Sequence, residues 1–263
     1  MMRNIFPEAH VSVPFSLLRD YYMSFVLENR IPVELVLDAS VLDSFPLEEF
    51  KKVAFDLVQA DLPCSLHAPF LDLSLGAMDP RVRQISLERM EQVLELLPIF
   101  HPRWVVCHAG FEERHYGYEK ETWLNNIFQS LSRLLPQLER NRTFLMVENV
   151  FEKDSLLLKS LFRTSNFPWL RFCLDIGHHH LCSRTDLRVW LDDLGPFLGM
   201  LHLHDNNGRL DDHLAIGQGS IDFKGFFALL RKRELNPKIT LEPHHKDWVF
   251  PSLEFLAQNW PWS

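Results

Sequence analysis

The sequence predicts one closed barrel of eight parallel strands wrapped by helices, a single (β/α)8 TIM-barrel domain over residues 1–263. Three observations predict it. Short β-rich runs alternate with longer helical patterns eight times over, and such alternation implies right-handed crossovers between parallel strands. No composition shift or linker interrupts the series. The length of 263 residues is what such a barrel takes as one domain. An open dinucleotide-binding sheet is disfavoured, because no Gly-x-Gly-x-x-Gly follows the first strand.

The units can be taken in order. His10-Val11-Ser12-Val13 leads into a helical pattern over 15–28. The second unit is Val33-Glu34-Leu35-Val36-Leu37 with a helix over 46–60, whose first turn carries Glu48 and Glu49 against the helix dipole. Cys64-Ser65-Leu66-His67 precedes a helix over 80–97 that starts on Pro80, where a missing N–H costs nothing. Trp104-Val105-Val106-Cys107-His108 is followed by a loop and a helix over 121–140. Thr143 to Glu148 leads to a helix over 153–162, and Arg171-Phe172-Cys173-Leu174-Asp175 to one over 186–194. The run Leu198-Gly199-Met200-Leu201-His202 leads to a helix over 222–231. Ile239-Thr240-Leu241-Glu242 leads to a last helix near 251–258.

In such a barrel the chemistry sits at the C-terminal ends of the strands. Strands three to eight end, in order, on His67, His108, Glu148, Asp175, His202 and Glu242. Taken singly, a histidine at a strand end is most often a structural hydrogen-bonder. Six ligand-type residues at six successive ends are the pattern of a metal centre, since imidazole and carboxylate are ordinary ligands of divalent ions. His178 follows Asp175 closely, with Gly177 expected to let the backbone turn between them. His204 shares a face with His202 but lies further out. The stretch Asp205-Asn206-Asn207-Gly208 is turn chemistry, and Asp211 and His213 follow on the same loop, which Gly217-Gln218-Gly219 closes. His179 and His180 are expected to be accessory and His244 and His245 surface residues, while His10, His101 and His115 carry no pattern. Glu34 and Asp38 have the option of pointing inward.

Charge narrows the partners. With 27 Lys and Arg against 35 Asp and Glu, the net charge is -8, without the basic footprint that grips a nucleic-acid backbone. The loops at 70–79 and 111–120 hold no Lys/Arg cluster with interleaved aromatics. The partner expected is a small-molecule substrate, with nucleic acid not expected and oligomeric state left open. The four cysteines form no C-x-x-C pair, and the N-terminal residues lack the apolar core of a signal peptide. A reduced, cytoplasmic protein without a membrane span is therefore expected.

His67-Ala68-Pro69, His108-Ala109-Gly110, Glu148-Asn149, Asp175-Ile176-Gly177-His178, His202-Leu203-His204-Asp205, Asp211-Asp212-His213 with Gly217-Gln218-Gly219, and Glu242-Pro243, taken in that order, resemble the xylose isomerase-like barrel superfamily. That superfamily contains sugar and sugar-phosphate isomerases and epimerases as well as endonuclease IV-like DNA-repair enzymes. In epimerase-type members one divalent ion is held at positions that fall on Glu148, Asp175, His202 and Glu242, and the position of His178 contacts a substrate oxygen. In endonuclease-like members three zinc ions use these positions together with His67, His108, His178, Asp211 and His213. Some epimerases carry an arginine beyond the strand-seven histidine, and Gly208-Arg209 lies near that place.

The leading expectation is an isomerase or epimerase of a sugar, sugar phosphate or polyol that depends on Mn, Co, Mg or Zn. In it Glu148 and Glu242 would remove and return the proton alpha to a carbonyl, and His178 and His204 would orient hydroxyls. No glycine loop cradles a phosphate, so a free sugar fits better than a sugar phosphate. The alternative is a metal-dependent phosphodiesterase of the endonuclease IV type with two or three ions. Asp211 and His213 divide the two, shaping a loop in the isomerase and ligating an ion in the hydrolase.

Overall fold

The computed structural model describes residues 9–165, 167–260 and 262. Eight strands, β1 (Ala9–Pro14), β2 (Val33–Val36), β3 (Cys64–His67), β4 (Trp104–His108), β5 (Phe144–Glu148), β6 (Leu170–Asp175), β7 (Leu198–Leu203) and β8 (Lys238–Leu241), close into a barrel in sequence order. Each pairs in parallel with its neighbours, and β8 returns to β1 through Val11 opposite Leu241. The eight-unit reading of the sequence holds.

Strand alternation builds two separate apolar layers. One set of residues, such as Leu66, Val105, Leu145, Val147, Leu174, Leu201 and Leu241, packs outward against the helices in the main core. The intervening positions point into the barrel, where Trp104, Val106, Met146, Cys173 and Met200 form a second, smaller cluster. Two residues further along, the same inward phase delivers His108, Glu148, Asp175 and His202 to the upper end. The register confirms the level: His108 pairs with Glu148, and Asp175 with His202.

Helix boundaries differ from the expected ones where the chain carries local turn chemistry. The first helical region, 15–29, contains a π-helical turn at Leu18–Tyr22 and ends on Arg30 in the left-handed conformation. Asp38, offered above as an inward candidate, instead caps the short helix Ala39–Ser44 by accepting from the Val41 N–H. Helix Leu156–Ser165 starts later than expected. A short helix missing from the pattern, Ile176–Cys182, follows β6 directly because the Asp175 carboxylate caps it at the His178 N–H. Among the described residues no helix is long and apolar enough to cross a membrane.

The barrel floor is polar where branched aliphatics are usual. His10 Nδ1 donates to Ser65 Oγ (3.0 Å), which donates to Glu34 Oε2 (3.0 Å), and Thr240 Oγ1 also donates to Glu34 Oε2 (3.2 Å). Burial pushes His10 down to about 4, against the charge of Glu34. His10 thus stays neutral in the folded chain while the unfolded chain takes up a proton near pH 6.5. Between those values the unfolded state binds more protons, so stability falls as pH drops from 6.5 towards 4. The expected contribution of His10 is about 3 kcal/mol across that window. Urea titrations at several pH values should give His10→Asn a flatter acid limb than wild type; parallel limbs would show that His10 titrates normally in the fold.

Candidate metal centre

The six strand-end residues converge, and five neighbouring donor sets result, three of which between them take in every His, Asp and Glu donor. Glu148, Asp175, His202 and Glu242 each offer an atom within 4.8 Å of the others, as do His67, His108 and Glu148, and as do His178, His204, Asp211 and His213. Glu148 belongs to two of these three sets. Its Oε2 lies 3.3 Å from His67 Nε2, 3.4 Å from His108 Nε2 and 3.2 Å from His202 Nδ1. Its Oε1 lies 3.2 Å from His178 Nδ1.

Three of the histidines are held at Nδ1 by backbone carbonyls. His67 Nδ1 lies 2.9 Å from the Ala68 carbonyl, His178 Nδ1 3.0 Å from the Asn149 carbonyl and His213 Nδ1 2.9 Å from the Glu242 carbonyl. A carbonyl only accepts, so each Nδ1 carries the proton and, in the neutral ring, each Nε2 turns a lone pair outward. Those lone pairs face carboxylate oxygens: Glu148 for His67, and Asp211 Oδ2 at 3.3 Å for His178 and 3.2 Å for His213. Lone pair against lone pair is repulsive unless a proton or a cation stands between. Anchoring one nitrogen on a carbonyl while the other is offered is how metal-ligating imidazoles are oriented.

Buried atoms without partners give a second sign. Both nitrogens of His202 and of His204, Oδ2 of Asp175 and Oε1 of Glu34 lack a well-formed hydrogen bond. His202 Nε2 sits 3.0 Å from Glu34 Oε1 but out of line for one, while its Nδ1 faces Glu148 and, at 3.1 Å, Glu242 Oε1. Leaving such groups unpaired in a buried site costs roughly 1–3 kcal/mol each. A divalent cation would satisfy several at once, so the oxygen and nitrogen donors present fit such an ion.

Burial and neighbouring charges pull the ionisable groups of the cluster in opposite directions. Burial opposes ionisation of Glu148, but neighbouring His202 and His108 outweigh it and hold Glu148 well below the usual carboxylate range. Glu242 is likewise held low, with His202 outweighing burial. Burial pushes His202 and His178 down, yet the negative groups around them prevail and both are raised. At His108 burial wins and the ring is pushed down, whereas at His67 the hydrogen bond to Glu148 overcomes burial. Glu148 does not face these rings alone: Glu34 and Glu242 lie against His202, and Asp175 and Asp211 against His178.

The loop after β7 is a built part of the site. Asp205 pairs with Leu214 in an antiparallel bridge. Its buried carboxylate accepts from the N–H groups of Asn206, Gly217, Gly219 and Ile221 at 2.8–3.2 Å. That fixes Asp211 and His213, and His213 is held left-handed at φ 47°, a conformation costing about 1–2 kcal/mol. His213 lies stacked between His204 (3.7 Å) and His244 (3.8 Å). His244 is solvent-exposed as expected, but it belongs to the rim rather than to open surface. Gly177 is corrected too. It sits inside a helix, and its role is clearance: a Cβ there would lie 2.1 Å from the His204 ring.

Sequence patterning gave three contributors no role. Asn149 clamps β5 to β6, donating to the Asp175 carbonyl and accepting from its N–H. Glu34 supports His202 from below, at an alternation phase that signalled an inward side chain and nothing more. Glu152 is buried beside the site, accepts from the Val150 N–H at 2.7 Å and is pushed up to about 7 by burial; its loop position gave no signal. Arg209, near the arginine place of some epimerases, is solvent-exposed, and the cavity over the donor sets is lined without it.

Comparison with known proteins places the chain in a family. Residues 30–259 match the family model described as xylose isomerase-like TIM barrel, and the chain belongs to that family. An uncharacterized protein of Methanocaldococcus jannaschii is 32% identical over 79% of this chain and 80% of its own length. A protein of Persephonella marina named a probable endonuclease 4 is 23% identical over 74% of this chain and 75% of its own. Two solved structures share the barrel, each covering 95% of this chain and 97% of its own. They are a Thermus thermophilus protein soaked with ZnCl2 (TM-score 0.82, 24% identity) and a D-tagatose 3-epimerase-like protein (TM-score 0.81, 22% identity).

Proposed function

We propose that the protein is a hydrolase of small phosphate esters that works with two or three divalent ions. The observation that carries this is the joining of three donor sets through Glu148 on one side and the Asp211 loop on the other. A single-ion site requires only Glu148, Asp175, His202 and Glu242. It gives His178 a substrate oxygen to contact, but assigns no role to His67 and His213, each anchored at Nδ1 and aimed at a carboxylate. The relative named a probable endonuclease 4 supports the same chemistry. The acidic chain fits a compact ester better than a polynucleotide. Four free cysteines agree with a reducing, cytoplasmic setting.

When bound, ions at these sets supply Lewis-acid stabilisation of charge developing on phosphoryl oxygens. The residues of the chain do the rest. Glu148, shared by two sets, fixes their spacing, and the carbonyl anchors stop the imidazoles from turning away. Glu242, ionised and facing both His202 and His213, would complete a donor set and orient the attacking water. Water adds through its oxygen to phosphorus, the P–O bond to the leaving group breaks, and a proton ends on the departing oxygen. Zinc, manganese or cobalt suits the mixed nitrogen and oxygen donors, with magnesium a poorer match to so many imidazoles.

A second reading, the isomerase or epimerase of a sugar, is favoured by the four-residue set, in which two glutamates flank one ion position, and by the epimerase names that several solved neighbours and one curated relative carry. The test is paired. Protein loaded with Zn or Mn is expected to hydrolyse bis(p-nitrophenyl) phosphate, to stop after dialysis against a chelator, and to leave a panel of free ketoses unchanged. Conversion of a ketose without phosphodiester hydrolysis would transfer the function to the second reading.

A further inference from the structure

We infer that the ester carries an apolar group, so that the enzyme acts on amphiphilic phosphoesters. This rests on the hydrolase reading and adds the substrate class. The donor sets open into a cavity of about 860 Å³. The described residues that line it above the donors include Phe70, Leu71, Phe111, Tyr116, Phe151 and Leu181. Phe70 stacks on His108 (centroids 4.4 Å, 29°), so apolar surface begins at the donors themselves. Among the described lining residues Lys246 is the single lysine or arginine, and asparagine, glutamine and threonine do not occur.

A polynucleotide would be poorly met there, and the hydroxyls and carboxylates that line the cavity beyond the donors, Ser12, Tyr22, Asp72, Ser74, Glu112 and Tyr116, are outnumbered by apolar side chains. Sugar hydroxyls need converging amides and hydroxyls to replace water, and a polyanion needs a basic track. At the rim, Leu71 is 76% exposed and Phe151 53% exposed, on loops after β3 and β5. Large apolar side chains left open on two sides of one mouth are the ordinary mark of a surface that is covered in use. An alkyl or aryl group next to the phosphoryl centre covers both, with the charged head on the donor sets and the tail along Phe70, Leu71 and Phe151.

The experiment is a series of alkyl p-nitrophenyl phosphates, methyl to octyl, in which the bond broken and the leaving group stay fixed. With the metal-loaded protein, kcat/KM is expected to rise about two- to fourfold per methylene over the first several carbons. The propyl ester should exceed the 2,3-dihydroxypropyl ester at least about tenfold. Phe151→Ser and Leu71→Ser should each flatten the rise with chain length. Binding of methyl-, butyl- and hexylphosphonate by calorimetry reads the same subsite without turnover and should tighten with length. Rates and affinities independent of length, or a preference for the dihydroxypropyl ester, would overturn the apolar subsite while leaving hydrolysis standing. No ester turned over, with phosphonate affinity still climbing, would overturn the hydrolase reading and keep the subsite.

Discussion

Replacing Glu148 by Gln is expected to lower kcat for phosphodiester hydrolysis on the order of a thousandfold or more, with a loss of bound metal. The carboxylate lies within 3.4 Å of His67, His108, His178 and His202, so one substitution alters every imidazole that faces it. Gln keeps the volume and removes the charge, which weakens two donor sets together. The metal-free fold should survive, because the strand is held by its backbone ladder and by the outward Leu145 and Val147. Circular dichroism and thermal unfolding of the metal-free variant should therefore stay close to wild type. A variant with near-normal turnover and full metal content would remove Glu148 from the centre.

The double substitution Asp211→Ala with His213→Ala is expected to strip one ion and cost on the order of a hundredfold in kcat. Asp211 Oδ2 faces both His178 and His213, and its burial, opposed by those two rings, leaves its carboxyl well below the usual range. His213 ties the loop to the Glu242 carbonyl at the end of β8. Removing both opens the third set and frees His178, while the sets around Glu148 keep their donors. Metal analysis beside wild type reads the ion directly. A variant with unchanged metal content and only a raised KM would return this loop to a substrate-closing role, as in the isomerase.

Most of the barrel was legible because its signals are periodic. Alternation in Trp104–His108 and Phe144–Glu148 fixes which side chains face inward, and the position of a strand end in a barrel fixes the level at which they meet. His67, His108, Glu148, Asp175, His202 and Glu242 could thus be brought together on paper. What stayed hidden depends on contacts across the chain. Glu34 and His202 are far apart in sequence, and only barrel closure sets one beneath the other. The loop geometry was equally hidden: turn residues at 205–208 announce a turn but not that Asp205 would collect four backbone N–H groups. Gly177 looked like a hinge and proved to be clearance for His204, a difference that requires the partner ring. The orientation of the histidines was hidden as well: the sequence does not show that His67, His178 and His213 each hold Nδ1 on a backbone carbonyl.

The most direct measurement is the number of ions per chain. Native mass spectrometry of protein purified without chelator, checked by elemental analysis, should give two or three divalent ions, falling by at least one in the Asp211→Ala, His213→Ala variant. One ion per chain in wild type, unchanged in that variant, would contradict the multinuclear centre and with it the hydrolase assignment.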